Sequence, residues 1–183
     1  MPPNTPQPGR AGQSFGRQRG PRRQQSRYAV QLEEKQNLKK TFGVRERQLK
    51  GYYREAQRSR EETGPLLVQL MERRLDNALY RAGFAVNRTQ ARQIAGHRMM
   101  EVNGRPVDVP SLRLNVGDVV RVKENKRKKS YFTNFAKRMQ NVSLPSWLEL
   151  DIKNFAFKVV AAPTSKEAKL GVDIQSIVEL LSR

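Results

Sequence analysis

The segment from residue 71 to residue 123 constrains the fold most, because its apolar spacing changes partway along from helical to extended. Its first part predicts one helix, since apolar residues recur every three or four positions and share a face. The apolar stripe comprises Leu67, Met71, Leu75, Ala78, Leu79 and Ala82, and the opposite face comprises Arg73, Arg74, Asn77, Tyr80 and Arg81. One side of this helix is therefore expected to enter a core while the other presents a basic surface.

A shorter helix and a hairpin complete the segment. Asn87 can cap the second helix, Gln90 can bond back to the cap, and Gly96 supplies a left-handed stop. The apolar stripe of this helix is Ala91, Ile94 and Ala95, and its polar face is Arg88, Arg92 and Gln93. The pair Asn103-Gly104 tolerates the positive φ angles of a type I′ turn, and the β-rich run at 119–122 predicts a further strand. The segment is thus expected to form two helices on a small, mostly antiparallel sheet.

The charge balance indicates an anionic partner. The chain of 183 residues has 36 Lys and Arg against 17 Asp and Glu, a formal net charge of +19. A compact protein with this imbalance repels itself unless a polyanion neutralises it. An acidic membrane fits less well, because the sequence contains no long apolar run and its basic residues are not confined to one terminal cluster. Composition therefore favours RNA or DNA.

The residue inventory argues against catalysis and against a bound metal. The chain has no cysteine, which excludes disulfides, thiolate zinc sites and cysteine nucleophiles. Its one histidine, His97, follows a predicted helix end without a carboxylate or nucleophile placed to work with it. It is better explained as a cap on helix carbonyls or a phosphate donor. We therefore expect no enzyme activity, no metal and no cofactor.

The chain divides into four parts by composition, and the expected fold class is α+β. Residues 1–27 lack acids and are rich in Pro, Gly, Gln and Arg, so they predict a disordered basic arm that becomes ordered on RNA. A helical region follows at 28–70, in which Gly43 ends the first helix. The helix-helix-hairpin segment occupies 71–137. A C-terminal extension of strands and a final helix, expected at Ile174–Leu181, occupies 138–183.

Aromatic residues among the basic ones raise a choice between stacking on RNA bases and packing in the core. Tyr131, Phe132 and Phe135 lie within a run of Lys and Arg, a pattern that also suits single-stranded RNA. Phe132 and Phe135 are three residues apart, which favours packing of a helix against the body. Tyr52 and Tyr53 are likewise expected in a core, with one hydroxyl free to reach outward.

Motifs after about Tyr28 resemble those of a known family. The central segment contains RLDNALYRAGF, ARQ before His97, VNGRPV and GDVV, which resemble the RNA-binding domain named after small-subunit ribosomal protein four. That domain also occurs in some RNA-modifying enzymes. The flanking phrases GVRERQLKGYYREA, TGPLL, PSWLELD and DIQSIVELLSR resemble the bacterial-type ribosomal protein family itself. Many members carry a cysteine-based zinc site, which this chain lacks. The resemblance also implies that the C-terminal strands and final helix pack back near the N-terminal helices.

The resemblance implies a structural constituent of the small (30S) ribosomal subunit, located in the ribosome of a bacterial cytoplasm or an organelle. It implies a primary binder of 16S rRNA that nucleates subunit assembly. It also implies a position near the path by which mRNA enters, beside ribosomal protein five, with an effect on translational accuracy. Two alternatives use the same domain: an RNA-modifying enzyme and a ribosome-associated stress factor. The absence of catalytic residues disfavours the first, and the family-specific flanks disfavour the second.

The expected RNA contacts combine the basic faces with the positions that match the family's RNA-facing residues. They are Arg45, Arg47, Lys50, Arg54, Arg58, Arg73, Arg74, Asn77, Arg81, Arg88, Arg92, Gln93, His97, Lys123, Lys126, Arg127, Lys128 and Lys129. Because Arg92 is off the apolar stripe, we expect it to be exposed and Arg92→Ala to leave the fold intact.

Overall fold

Helices at both ends of the described chain flank one antiparallel sheet. The computed structural model describes residues 26–132, 135–139, 142–168 and 170–182. The helices are α1 Arg27–Phe42, α2 Glu46–Arg58, α3 Thr63–Glu72, α4 Leu75–Arg81, α5 Arg88–Gly96, α6 Glu124–Arg127, α7 Phe135–Met139, α8 Ser165–Ala168 and α9 Ile174–Leu181, with a 3-10 turn at Ser130–Phe132. The strands are β1 Met100–Val102, β2 Arg105–Val107, β3 Val119–Val122, β4 Leu148–Asp151 and β5 Ala156–Val159. The predicted arm lies outside the described residues, except for Ser26, which caps α1, and Arg27.

The first three helices and the last one share a hydrophobic core, and we refer to α1, α2, α3 and α9 as the helical unit. Gly43 ends α1 in the left-handed conformation, at φ 58°, and its N–H bonds back to the last turn. The buried residues of this core are Leu38, Phe42, Val44, Leu49, Tyr53, Ala56, Leu67, Leu70, Met71 and Ile177. Because Ile177 comes from α9, the C-terminal helix completes the core of the N-terminal helices, as the family resemblance implied.

The predicted single helix over 67–82 is wrong, because the structure divides it into α3 and α4. Helix α3 ends at Glu72 and α4 begins at Leu75. The N–H of Leu75 donates to the carbonyl oxygen of Leu112 at 2.8 Å, and that of Asp76 to Pro110 at 3.0 Å. These donors bond to a distant loop instead of the preceding turn, so the loop interrupts the helix.

The strands form one sheet in the order β2-β1-β3-β5-β4, and every neighbouring pair is antiparallel. The β1–β2 turn has Asn103 at φ 51° and Gly104 at φ 78°, as its type I′ chemistry predicted. The C-terminal strands join the hairpin sheet through the pairing of β3 with β5. The fold is therefore α+β, as predicted.

A second core lies between the sheet and helices α4 and α5, and we refer to these elements with residues 124–132 and 135–139 as the sheet unit. Its buried side chains include Phe84, Val120, Trp147 and Phe157. Phe132 and Phe135 are buried in the same core, at ring-centroid distances of 6.2 Å from each other and, for Phe135, 4.8 Å from Phe84. Their packing role is confirmed.

The prediction of a left-handed stop at Gly96 is wrong by two residues. Gly96 is the last residue of α5, His97 is the C-cap at φ −85°, and Arg98 takes the positive φ of 54°. The side chain of Arg98 bonds to Asp108 at 2.7 Å, which offsets the strain of a non-glycine residue in this conformation. Within the described part of the chain, no helix is long and apolar enough to cross a membrane.

Candidate nucleic-acid interface

Helix α2 presents a row of basic side chains on a rigid support. Its opposite face is held in the helical unit by Leu49, Tyr53 and Ala56, which are buried. The row consists of Arg45 at the N-cap followed by Arg47, Lys50, Arg54 and Arg58, and all five residues are exposed. The side chains of the last four residues make no hydrogen bond or ion pair with another described residue. Their donors therefore remain available to a ligand with many acceptor oxygens.

A buried carboxylate, that of Asp76, organises the start of α4. The Asp76 residue is 3 % exposed, and the fork of Arg74 binds it through Nε–Oδ1 at 3.0 Å and Nη2–Oδ2 at 2.7 Å. A third donor of Arg74, Nη1, bonds to the hydroxyl of Tyr52 on α2 at 2.8 Å. Burial works to lower the pKa of Arg74, but the hydrogen bonds that it donates to Asp76, the charge of that carboxylate and the neighbouring Tyr52 leave the pKa raised.

The same carboxylate accepts from Arg92 on α5. Arg92 Nε and Nη2 lie 3.1 and 2.8 Å from Asp76 Oδ2. The guanidinium also donates to the carbonyl oxygens of Phe42 at 2.9 Å and Gly43 at 2.6 Å. Those carbonyls end α1, where a cation complements the helix dipole and satisfies acceptors that lack an intrahelical donor. Arg92 therefore joins α5, α4 and the end of α1.

A second buried carboxylate, that of Glu72, lies one turn earlier and is 1 % exposed. Arg81 binds it with two donors at 2.8 and 2.9 Å, and Asn77 Nδ2 donates to it at 2.7 Å. Arg88 donates to Asn77 Oδ1 at 2.7 Å, and its guanidinium stacks over the ring of Tyr80 at 4.5 Å. Burial lowers the pKa of Arg88, because desolvation disfavours the cation.

The expectation of an exposed basic face on α4 and the start of α5 is therefore wrong. The structure places Arg74 and Asn77 in the interior at 2 % and 1 % exposure, and it leaves Arg81, Arg88 and Arg92 only partly exposed. Their donors are directed at two internal acids that the helical periodicity alone did not reveal. The available signal was Glu72 and Asp76, two acids one helical turn apart within a run of arginines. That these five residues contact RNA stays a prediction.

Other predicted contacts fall into two groups. Gln93 and His97 on α5 are exposed. Arg73 is partly buried, and it donates to the carbonyl oxygen of Leu114 at 2.8 Å and to the side chain of Asn115. Arg73 therefore holds the loop before β3, whereas Gln93 and His97 remain at the surface.

The basic run after β3 follows the edge of the sheet unit. Lys128 and Lys129 are exposed, and Lys123 and Lys126 are partly buried. Arg127 donates to the carbonyl oxygen of Asn154 at 3.1 Å and lies 5.5 Å over the ring of Phe155. Arg127 thus holds this run against the turn between β4 and β5.

The sequence reading missed Arg113, which connects the two units. Both of its terminal nitrogens bind the carboxylate of Glu55 on α2, one of them at 2.6 Å, and its guanidinium lies 5.8 Å over the ring of Tyr52. The hydrogen bonds from Arg113 hold the pKa of Glu55 below its ordinary value. No periodicity marked Arg113, because it belongs to a loop rather than to a helix or strand.

The chemistry of these surfaces is that of hydrogen-bond donation and positive charge. Among the described residues there is no group of His, Asp and Glu arranged to hold a metal ion. Exposed cations on packed helices and a small sheet are suited to binding the phosphates of a folded nucleic acid. The fold and the basic surfaces together define an RNA-binding protein.

Comparison with known proteins identifies the family. Residues 10–72 match the family model described as the ribosomal protein S4/S9 N-terminal domain, and residues 73–120 match that of the S4 domain. A protein of Persephonella marina named small ribosomal subunit protein uS4 is 45 % identical over 168 residues, which cover 91 % of this chain and 82 % of the relative. Its namesake in Herpetosiphon aurantiacus is 45 % identical over 88 % of this chain and 78 % of the relative. The namesake in Aquifex aeolicus is 41 % identical over 96 % of this chain and 83 % of the relative. The chain belongs to the small ribosomal subunit protein uS4 family.

Proposed function

We propose that this protein is a structural constituent of the small ribosomal subunit and binds 16S rRNA through its basic surfaces. The observation that carries the proposal is the exposed row on α2, in which the side chains of Arg47, Lys50, Arg54 and Arg58 have no partner among the described residues, in a chain of formal charge +19. Membership in the uS4 family agrees with this role. The role is structural rather than catalytic.

The physics of the α2 row favours recognition of folded RNA by its phosphates. Arg47, Lys50, Arg54 and Arg58 are held on one packed helix, so their spacing is set before binding. Lys and Arg contact phosphate oxygens without reading base identity, and such contacts fix the register of a protein on a nucleic acid. A fixed pattern of cations therefore selects RNA by the shape of its backbone.

The family resemblance supports a more detailed assignment. The protein binds early to small-subunit rRNA and nucleates assembly. It lies near the path by which mRNA enters the ribosome, beside ribosomal protein five, and affects translational accuracy. The remaining predicted contacts, Gln93, His97 and the lysines of the run 123–129, extend the RNA-binding surface from α2 to the sheet unit.

The test compares two double variants that each remove two positive charges. Lys50→Ala with Arg54→Ala removes two of the four unpartnered cations of the α2 row. The strand variant, Lys153→Ala with Lys158→Ala, removes two exposed lysines, one in the turn between β4 and β5 and one on β5. Binding to 16S rRNA is measured by filter retention at several salt concentrations. Each lost phosphate contact lowers the slope of log affinity against log salt by about one unit. The α2 variant should lose about two units of slope, and the strand variant should lose less.

Equal slopes for the two variants would show that the α2 row is not the interface. The proposal also predicts that the protein stays with the small subunit through sedimentation in high salt. A loosely associated stress factor would be washed off, and an RNA-modifying enzyme would change the rRNA chemically.

A further inference from the structure

Several side-chain contacts join the helical unit to the sheet unit, and two of them meet at Asp76. Arg92 links Asp76 to the end of α1, and Arg74 links Asp76 to Tyr52 on α2. Arg113 also pairs with Glu55 on α2, and Arg81 pairs with Glu72 at the end of α3. One buried carboxylate thus fixes α5, α4, α1 and α2 relative to one another.

The guanidinium of Arg92 lies directly against the backbone of Gly43. A Cβ atom on Gly43 would lie 2.7 Å from Arg92 Nη1, nearer than nonbonded atoms approach. Gly43 also adopts φ 58°, which favours glycine. The end of α1 is therefore shaped to receive the guanidinium, and its two carbonyl oxygens lie 2.6 and 2.9 Å from the nitrogens.

We propose that Asp76 and Arg92 are positioning residues, which hold the α2 row and the exposed end of α5 at the fixed separation that folded rRNA requires. The proposal rests on the proposed function and adds how the two surfaces are held. Two linked binding surfaces gain affinity over either alone only while their geometry allows both to engage. We call the contacts of Asp76 and Arg92 between the two units the joint. If the joint is loosened, RNA binding must order the two units, and the free-energy cost of that ordering lowers the affinity.

Replacement of Arg92 by lysine separates positioning from direct phosphate contact. Lysine keeps the charge and can serve a phosphate as a point charge. It lacks the planar fork that reaches Asp76, Phe42 and Gly43 together. Arg92→Lys therefore preserves binding if Arg92 acts on the RNA, and weakens binding if Arg92 acts through the joint. Arg105→Lys is the matched control, because Arg105 is exposed on β2, its side chain makes no ion pair or hydrogen bond with the described residues, and it lies outside the proposed RNA-binding surface.

The joint is measured in the free protein by pulsed electron spin resonance. The chain contains no cysteine, so Gln57→Cys on α2 and Thr89→Cys on α5 place two spin labels at exposed positions without competition. The distance distribution between the labels is recorded for the parent, Arg92→Lys, Asp76→Asn and Arg105→Lys. Binding of 16S rRNA is measured in parallel on the unlabelled variants, and circular dichroism reports their folding.

The expected result is a broadened distance distribution for Arg92→Lys and Asp76→Asn, with rRNA affinity lowered by roughly tenfold or more and helix content retained. Arg105→Lys should match the parent in both measurements. Unchanged distances and affinity in Arg92→Lys would overturn the proposal, and so would global unfolding of both Arg92→Lys and Asp76→Asn. If Asp76→Asn alone unfolds, Arg92→Lys decides. A parent protein that fails to bind rRNA would refute the proposed function, while the distances would still decide whether Asp76 and Arg92 fix the joint.

Discussion

Arg81 binds both carboxylate oxygens of Glu72, with Nε–Oε2 at 2.9 Å and Nη2–Oε1 at 2.8 Å. Glu72 ends α3 and Arg81 ends α4, so the pair closes the bend between the two helices. Arg81 Nη2 also donates to the carbonyl oxygen of Ala168 at 2.6 Å, which ties α8 to the same point. Burial works to lower the pKa of Arg81, but its hydrogen bonds with Glu72 leave that pKa raised.

Arg81→Ala is expected to destabilise the protein by about 3–5 kcal/mol, because it leaves the Glu72 carboxylate buried without its cation. Arg54→Ala is the matched control and should change the free energy of unfolding by no more than about 0.5 kcal/mol. Urea titrations of both variants measure the difference. If Arg81→Ala is as stable as Arg54→Ala, the pair with Glu72 is not a structural element.

Features that depend on neighbouring residues could be predicted from the sequence. The Asn103-Gly104 turn follows from the φ angles that these two residues tolerate, and α9 was expected at Ile174–Leu181, as found. The end of α1 at Gly43 follows from the left-handed cap. In each case the chemistry that sets the structure lies within one turn of the chain.

Features that depend on distant partners could not be predicted. The break before Leu75 exists because its N–H finds the carbonyl of Leu112, and helical periodicity carries no information about that partner. The burial of Arg74 and the role of Arg92 both depend on Asp76, an acid that helical periodicity did not single out. That Arg92→Ala leaves the fold intact stays a prediction, but its premise is wrong, because Arg92 is partly buried and bonds to Asp76 and to the end of α1.

Two glycines with the same backbone angle provide a test of local packing. Gly83 and Gly104 both have φ +78°. Alanine at either position must adopt this left-handed conformation, which destabilises the folded protein by roughly 1–2 kcal/mol. A Cβ at Gly83 would also lie 2.8 Å from Cγ2 of Val142, whereas Gly104 faces open space. Gly83→Ala should therefore destabilise the protein more than Gly104→Ala does, by about 1–3 kcal/mol. Thermal melts of the two variants give the comparison.

Val142→Ala in the Gly83→Ala background is the control for that explanation. The smaller side chain removes the clash, so the double variant should recover part of the additional loss. No recovery would show that the cost comes from the backbone angle alone.

The corner between α1 and α2 should weaken in acid. The carboxylate of Glu46 lies 2.9 Å from Lys39 Nζ and 3.1 Å from Lys35 Nζ. The hydrogen bond from Lys39, with that from Lys35, holds the pKa of Glu46 below its ordinary value. A lowered pKa in the folded state contributes stability that is present above the unfolded value, about 4.3, and is lost as the pH falls through the folded value.

Glu46→Gln should therefore be less stable than the parent near neutral pH, and the two should converge as the medium becomes acidic. Denaturant titrations across this range measure the difference in unfolding free energy. Glu61→Gln, at an exposed position, serves as the control for loss of one negative charge. A difference between Glu46→Gln and the parent that stays constant down to the lowest pH would assign the effect to something other than ionisation of Glu46.

The C-terminal helix is expected to control the stability of the N-terminal helices. Ile177 on α9 is fully buried in the core of the helical unit, and Glu179 accepts from Arg27 at 2.8 Å and from Gln31 at 3.0 Å on α1. Ile177→Ala should cost roughly 2–5 kcal/mol, since it empties a core position. Hydrogen exchange should show loss of protection in α1, α2 and α3 and a smaller loss in β3 and β5, because the sheet unit has a separate core. Gln175→Ala, on the exposed side of α9, should leave both patterns unchanged. Equal loss of protection in the helices and the strands would show that the two cores unfold as one cooperative unit.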